Sequence, residues 1–414
     1  MSWRTRSRIL AAALAAAVIV PAVPGLALAA PAAASPPRTS LVIWGIDHGK
    51  ILGPWAGTGN ATRPRPFPIP ASTVAETRIG CSSGYVLTKA GQILAWGDNR
   101  IGQLGIGPTH PGQIATPMPV RLPSGSRAVS VQPGCDHVVA ALSTGKVVAW
   151  GRDDHGQLGD NDPDLTAKSR PVAVDLPGNL RFTAACAGFD YSMALSATGR
   201  VWAWGNNEHG QLGNGTTEFE DHTPVPVKLP AGLRVTAISC GGGHTLALTS
   251  AGRVLAWGEG SGGELGSGIP RRISRVPLPV NLPAMIRIRS VFAAVGTSMA
   301  LSTTGKVWTW GFNDRGQLGN GSTVDHRRRP GLVRLPAGTT VRQITGGATY
   351  DLVLTTRGTI LAWGGNDFGE LGIGKAGGQS RVPVAVHLRA GQTAVHIGTG
   401  WDSSDTLAII RSRR

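Results

Sequence analysis

Several kinds of side chain are scarce in this chain of 414 residues. It has three tyrosines, seven phenylalanines and four cysteines, and charged residues make up only 15% of it. No Cys-x-x-Cys pair occurs, which argues against a structural zinc site. No segment carries the periodicity of a long amphipathic helix, whereas glycine is abundant at 59 residues. This composition is typical of an all-β protein built from short strands and tight turns.

Tryptophan is the exception among the aromatic residues. A Trp-Gly dipeptide occurs seven times, at spacings of 52 to 54 residues. Such a period indicates an array of small supersecondary units that stack on one another. Seven units of this length fill the chain after its leader, so no second domain of ordinary size is expected. The tryptophans are Trp44, Trp96, Trp150, Trp204, Trp257, Trp310 and Trp363.

Each unit contains four short strand candidates. An apolar segment, a glycine turn and a second apolar segment ending in Ala-Trp-Gly precede a polar Gly-Gln-Leu-Gly loop and a proline-containing strand. In one unit the strands are predicted over residues 235–239, 244–249, 253–257 and 276–282. Proline removes a ladder donor, so the last strand should be the outer edge. The loop leucines are expected to fill the gaps between units; they are Leu104, Leu158, Leu212, Leu265, Leu318 and Leu371.

The Ala-Trp-Gly and Gly-Gln-Leu-Gly elements, with the segment Ile238–Leu248 before them in one unit, resemble the repeat of the regulator of chromosome condensation family. The resemblance covers Ser40 to about Ile410 and implies a seven-bladed β-propeller of four-stranded blades. Leu41–Gly45 and Thr393–Ile410 supply complementary parts of one blade, so the two ends are expected to close the ring. The first unit has Gly49-Lys50-Ile51-Leu52-Gly53 in place of Gly-Gln-Leu-Gly, which predicts a different loop there.

The first residues have the features of an export signal. Arg4, Arg6 and Arg8 precede an apolar run from Ile9 to Val20, and small-residue cleavage sites follow. We therefore predict a cleaved signal peptide at 1–34, a linker at 35–40, the propeller at 41–410 and a basic tail at 411–414. An uncleaved leader that anchors the chain remains the alternative. The mature protein is expected to be secreted or associated with the cell envelope, without a membrane span.

The formal net charge is +16, of which three positive charges lie in the leader. A basic surface attracts polyanions. In an exported protein, envelope polymers, acidic proteins or anionic lipid headgroups are more plausible partners than nucleic acid such as chromosomal DNA, and net charge alone does not choose among them.

The four cysteines allow two interpretations. Cys81 and Cys135 occupy the same register of adjacent units, and Cys186 and Cys240 also lie in adjacent units. Inner strands converge near a propeller axis, so each pair fits a disulfide in an oxidising compartment. The alternative is that all four are small, buried core residues.

The variable loops that follow Gly-Gln-Leu-Gly suggest a binding face. Loops at one repeat position emerge on one face of the ring, so their charges can be compared directly. The acidic sector contains Asp160, Asp162, Asp164, Glu218, Glu220 and Asp221. The basic sector contains Arg271, Arg272, Arg275, Arg327, Arg328 and Arg329. Such a divided face can orient a protein partner electrostatically, although ordinary solvated loop charge is the competing interpretation.

The sequence gives only weak indications of catalytic or metal-binding groups. His155 and His209 share a loop position, and Asp160, Asp162 and Asp164 resemble the start of a calcium loop without its glycine and glutamate. We expect no metal and no cofactor. A hydrolase would need polar groups in the central channel, for which the candidates are His137, Tyr191, His244 and Tyr350. These four share one repeat position, and matching positions in successive blades more often indicate packing than catalysis.

The sequence therefore predicts an exported, monomeric and non-catalytic interaction scaffold that binds a protein or an anionic envelope component through one loop face. The family resemblance implies one alternative, a guanine-nucleotide exchange factor acting on a small GTPase. Similarity to a secreted β-lactamase inhibitor with the same propeller implies another, an enzyme inhibitor.

Overall fold

The computed structural model describes residues 38–47, 51–53, 59–108 and 110–412. This part of the chain forms 28 strands in seven four-stranded antiparallel sheets, with one 3-10 turn at Ala71–Thr73. The all-β fold predicted from the repeat and the seven-bladed propeller implied by the family resemblance are both confirmed. The signal peptide predicted at 1–34 lies outside the described residues.

The strands follow one another in chain order through the blades. The first six strands are β1 (Arg38–Gly45), β2 (Ala61–Phe67), β3 (Val74–Ile79), β4 (Ser83–Thr88), β5 (Ile93–Asp98) and β6 (Gln113–Pro119). The next eight are β7 (Ala128–Pro133), β8 (His137–Leu142), β9 (Val147–Gly151), β10 (Lys168–Ala173), β11 (Phe182–Ala187), β12 (Tyr191–Ser196), β13 (Val201–Asn206) and β14 (Glu220–Pro226). Then come β15 (Val235–Cys240), β16 (His244–Thr249), β17 (Val254–Glu259), β18 (Ile273–Pro279), β19 (Ile288–Ala293), β20 (Thr297–Ser302), β21 (Val307–Phe312) and β22 (His326–Leu332). The last six are β23 (Val341–Gly346), β24 (Tyr350–Thr355), β25 (Ile360–Gly365), β26 (Gln379–Ala385), β27 (Gln392–Gly398) and β28 (Asp405–Ser412).

Blades 2 to 7 are the consecutive groups of four strands from β3–β6 to β23–β26. In each of them the first strand is the inner strand, and the inner strands of successive blades contact one another around the axis. The fourth, proline-containing strand is the outer edge, as predicted.

Blade 1 is composite and closes the ring. Its strand order is β2-β1-β28-β27, and β1 pairs with β28 in continuous antiparallel register from Arg38 opposite Ser412 to Gly45 opposite Asp405. The first and last strands of the described chain therefore lie side by side in one four-stranded sheet, and this sheet closes the ring. This pairing begins two residues before Ser40 and ends two residues after Ile410, the limits of the family resemblance in the sequence.

The tryptophans join neighbouring blades. In six junctions the indole N–H donates to the backbone carbonyl of the Gln or Glu in the preceding Gly-Gln/Glu-Leu-Gly loop; Trp150 to Gln103 at 2.8 Å and Trp257 to Gln211 at 2.8 Å are examples. The seventh, Trp96, donates to the Ile51 carbonyl at 2.7 Å, so the divergent first loop keeps the same contact. All seven side chains are fully buried.

The loop leucines pack into the same junctions. Leu104, Leu158, Leu212 and Leu265 are each 0–2% exposed and belong to hydrophobic clusters that contain the tryptophan of the next blade. Each cluster thus spans two blades, and the core of the molecule is distributed around the ring. A glycine follows each leucine because a Cβ at Gly213, for example, would lie 2.6 Å from the Trp257 indole nitrogen.

The ring has two faces of different construction. The loop face carries the short connections between first and second strands and the long connections between third and fourth strands. The hairpin face carries the tight turns between second and third strands and the connections between blades. Gly145, at the tip of one such turn, has φ +86°, as the hairpin assignment requires.

Candidate functional site

The long connections of the loop face are held in fixed shapes by side chains near their start. Asn207 Oδ1 accepts a hydrogen bond from the Leu212 N–H at 3.1 Å, and Asn313 Oδ1 accepts one from the Leu318 N–H at 3.0 Å. Asn99, Asp153 and Asn366 make the same contact in their own blades. In five of the six complete blades these loops are therefore ordered platforms for the variable residues that follow, whereas blade 5 has Gly260 at this position and lacks the side-chain contact.

The basic sector lies on two adjacent blades, 5 and 6. Arg271, Arg272 and Arg328 border a concave patch of about 450 Å³ together with Gly260 and Ser261. All six arginines of the sector are exposed. None of them forms an ion pair or a side-chain hydrogen bond with another residue of the described chain.

Backbone hydrogen bonds within blade 5 and between blades 5 and 6 fix the spacing of these arginines. The Gly268 N–H donates to the Arg328 carbonyl at 2.9 Å, and the Gly260 N–H donates to the Arg272 carbonyl at 2.7 Å. A Cβ at Gly263 would lie 2.8 Å from the Arg327 carbonyl oxygen, so glycine allows the two blades to approach closely. The guanidinium groups are exposed, but hydrogen bonds fix the backbone that carries them.

The acidic sector on blades 3 and 4 is less free than the sequence implies. Asp162 accepts hydrogen bonds from Lys168 Nζ at 2.5 Å and Thr166 Oγ1 at 2.8 Å, contacts that hold the pKa of its carboxyl well below its usual range. Glu220 contacts two imidazoles, His222 at 2.9 Å and His155 at 3.1 Å, and its pKa is lowered by these hydrogen bonds. The two sectors are adjacent. Among the described residues, some carboxylates of the acidic sector form ion pairs, whereas no arginine of the basic sector does.

A second concave region lies at the mouth of the central channel on the loop face. Its volume is about 600 Å³, and its apolar walls include Phe189, Val295 and Trp401. Phe189 is 46% exposed and meets Trp401 edge to face, with ring centroids 6.1 Å apart. Asp190 and Asp402 also line this region; burial raises the pKa of Asp402 to about 6.

The repeat pattern of the sequence does not indicate this mouth. Its residues come from the short loops between first and second strands, which the repeat pattern treats as scaffold. The available signal was Phe189, which lies between Gly188 and Asp190 where the preceding unit has Cys135 and the following unit has Gly242.

The four channel candidates do not line the channel, which corrects the expectation stated above. His137, Tyr191, His244 and Tyr350 are at most 1% exposed and hydrogen-bond to the next blade. His137 Nε2 lies 2.9 Å from Ser192 Oγ, and the Tyr191 hydroxyl donates to the His244 carbonyl at 2.7 Å. The reason is geometric: these residues stand on second strands, whereas inner strands surround the axis. Burial lowers the pKa of His137 to about 3 and of His244 to about 4.

The structure joins the cysteines in two disulfides, Cys81 to Cys135 and Cys186 to Cys240, with Cα separations of 4.8 and 5.7 Å. Each bridge connects the inner parts of two neighbouring blades. The central cavity beside them, of about 230 Å³, is lined mainly by inner-strand residues such as Gln132, Ser239 and Gln343.

Among the described residues, one group of three side chains has the spacing of metal ligands, namely Cys81, Cys135 and Asp402. Both sulfurs of this group are shared in a disulfide, so they are not available as thiolates. His155 contacts Glu220 and does not meet His209 in such a group.

We expect the Cys186–Cys240 bridge to stabilise the ring, because it closes a loop with a sequence separation of 54 residues. Replacing both cysteines by alanine should lower the free energy of unfolding by about 2–4 kcal/mol. The measurement is the urea midpoint of the variant and of the parent, each with and without reductant. Reductant should lower the urea midpoint less in the variant than in the parent. Equal decreases in the two proteins would contradict the contribution of this bridge.

A comparison with known proteins agrees with the fold. A family model described as RCC1-like domain matches residues 113–410. Ultraviolet-B receptor UVR8 of Arabidopsis thaliana is 32% identical over 346 residues, which cover 82% of this chain and 75% of UVR8. Human E3 ubiquitin-protein ligase HERC2 is 32% identical over 379 residues, which cover 89% of this chain but only 8% of HERC2.

The crystal structure of yeast RCC1 (Prp20) bound to Kap60 superposes with a TM-score of 0.81 at 22% identity, covering 92% of this chain and 90% of that one. Within the residues that the structure describes, no helix is long and apolar enough to cross a membrane. The matched family model, the similarity to UVR8 and the seven-bladed ring agree with one another. The chain belongs to the family of RCC1-like domains.

Proposed function

We propose that this protein is an exported, non-catalytic binding propeller that recognises an acidic protein through its basic sector. The observation that carries the proposal is the unpaired state of six exposed arginines on two adjacent blades. Arginine presents a planar fork that matches carboxylates in bidentate geometry. Like charges held together at this density repel one another, and the carboxylates of a partner would relieve that repulsion.

The shape of the sector supports a protein ligand. Arg271, Arg272 and Arg328 surround a concave patch in which one acidic loop or side-chain cluster fits. Backbone hydrogen bonds fix the loops that carry these arginines, so the loops lose little conformational entropy on binding. The apolar mouth beside Phe189 and Trp401 lies on the same face and extends the area available for contact.

Related propellers are compatible with a binding role. One structure shows yeast RCC1 (Prp20) with Kap60, and another concerns binding of Prp20p to Gsp1p and histones. Export rests on the charge and hydropathy pattern of residues 1–34. Nucleotide exchange and enzyme inhibition are alternatives within a partner-binding role, and the identity of a captured partner separates them.

The test is a pull-down with the purified protein from envelope and culture-fluid proteins of the producing organism. The parent should retain a specific acidic protein. A variant with Arg271, Arg272, Arg327 and Arg328 changed to Glu should retain at least tenfold less of it, since each broken charge-assisted contact costs about 1.5–3 kcal/mol. The matched control changes Lys89, Lys146, Arg200 and Lys306 to Glu on the opposite face.

The control variant has the same net charge as the test variant. It should therefore retain the partner if the basic sector provides the contact, and lose it if only overall charge matters. Equal retention by all three proteins would contradict the assignment of the basic sector.

A further inference from the structure

We propose that the hairpin face docks on a planar anionic lipid surface. This goes beyond the proposed function, because it concerns the face opposite the basic sector and does not require a protein partner. Three features of this face support the proposal: the charge of the hairpin tips, the equal length of the hairpins and one exposed apolar side chain.

Each of the six complete blades presents a cation at its hairpin turn. These residues are Lys89, Lys146, Arg200, Arg253, Lys306 and Arg357, and all are exposed. Across this face of the described chain the carboxylates are Glu76, which pairs with Arg78, and Asp175. The hairpin face is therefore positive along six of the seven blades.

A second set of arginines lies between the hairpins. Arg181 donates to the Ser143 carbonyl of the preceding blade at 3.1 Å, and Arg234 donates to the Ala197 carbonyl at 3.0 Å. Arg287 makes the same kind of contact with Ala251. Their partners are neutral carbonyls rather than carboxylates, so each arginine is held in place and keeps its full charge.

The turns have one length in all six blades, with the glycine at the tip in a left-handed conformation, as at Gly199 with φ +85°. The cations therefore occupy a similar place in each of the six blades. Cations repeated in this way around a ring match an extended layer of phosphate headgroups, whereas a single linear polyanion would contact only part of the ring at once. Met285, on a blade connection of this face, is 91% exposed and offers one apolar side chain for shallow insertion.

The test is co-sedimentation of the purified protein with vesicles. One set contains an equimolar mixture of phosphatidylglycerol and phosphatidylcholine, and the other contains phosphatidylcholine alone. We expect the parent to bind the anionic vesicles and to be released as salt shortens the Debye length. Changing Lys89, Lys146, Arg200 and Lys306 to Glu should weaken this binding at least tenfold. These side chains make no hydrogen bond within the described residues, so the fold should be kept.

The variant with Arg271, Arg272, Arg327 and Arg328 changed to Glu is the matched control, and it should keep vesicle binding within about threefold of the parent. Equal loss in both variants, or equal binding to neutral vesicles, would overturn the proposal. Polyphosphate serves as a soluble linear polyanion: tighter binding to it than to anionic vesicles would assign the face to a polymer instead. Because vesicles contain no protein, this result does not depend on the pull-down.

Discussion

Replacing Trp257 by alanine is expected to lower the free energy of unfolding by about 3–5 kcal/mol, the range typical of a buried aromatic side chain. Trp257 is fully buried and belongs to a cluster shared by blades 4 and 5, with Leu212 and Tyr191. Its indole N–H donates to the Gln211 carbonyl at 2.8 Å. The substitution removes packing and a hydrogen bond at one junction of a ring in which every blade depends on two neighbours.

The two contributions can be separated. Trp257→Phe keeps most of the apolar volume but removes the donor, and should cost about 1–3 kcal/mol. Trp308→Phe is the matched control, since the Trp308 indole N–H is buried without a hydrogen-bond partner among the described residues. It should cost less than Trp257→Phe. The measurement is the urea midpoint of each variant, and equal shifts for the two Phe variants would contradict the role assigned to the inter-blade hydrogen bond.

Asp351 is expected to make the protein less stable as pH rises. It is fully buried opposite Trp363, and neither carboxyl oxygen has a hydrogen-bond partner among the described residues. Burial raises its pKa well above the usual value for Asp. The folded state therefore binds this proton more tightly than the unfolded state. Its contribution to stability is fully present below the unfolded pKa and is lost as pH rises through the folded pKa.

Serine at this position should remove the effect. Ser192 and Ser298 occupy the same register in blades 4 and 6, and each donates to the carbonyl that also accepts the tryptophan N–H, at 2.8 and 2.9 Å. Asp351→Ser should therefore raise the free energy of unfolding by about 1–3 kcal/mol near pH 9, with a smaller gain near pH 5. Asp164→Ser, on an exposed loop, is the control. A gain for Asp351→Ser that does not change with pH would contradict the buried carboxyl as its source.

The fold could be predicted because the same pattern of apolar segments, turns and loops occurs in each repeat of the sequence. In blade 5 the first three strands were predicted at 235–239, 244–249 and 253–257, and they lie at Val235–Cys240, His244–Thr249 and Val254–Glu259. The fourth was placed at 276–282 but spans Ile273–Pro279. Its start is set by pairing with the third strand after a variable loop, and no periodicity marks that point.

The candidate site was predictable only in part. Register placed the arginines of the basic sector on one face, because loops at one repeat position share a side of the ring. The pairing of Asp162 with Lys168 and of Glu220 with two histidines could not be predicted from the sequence and is seen only in the three-dimensional structure. The same is true of the contact between Phe189 and Trp401, which are distant in sequence and meet only because the ring closes.

The central claim is that the basic sector contacts an acidic partner. Its most direct test is photo-cross-linking of the partner captured by the parent, with a photoreactive residue placed either at Ser261 or at Ser124. Ser261 lies in the concave patch of the basic sector, and Ser124 lies on the connection between blades 2 and 3 on the opposite face. The account predicts cross-links from position 261 and none from position 124. Cross-links from position 124 alone would contradict it.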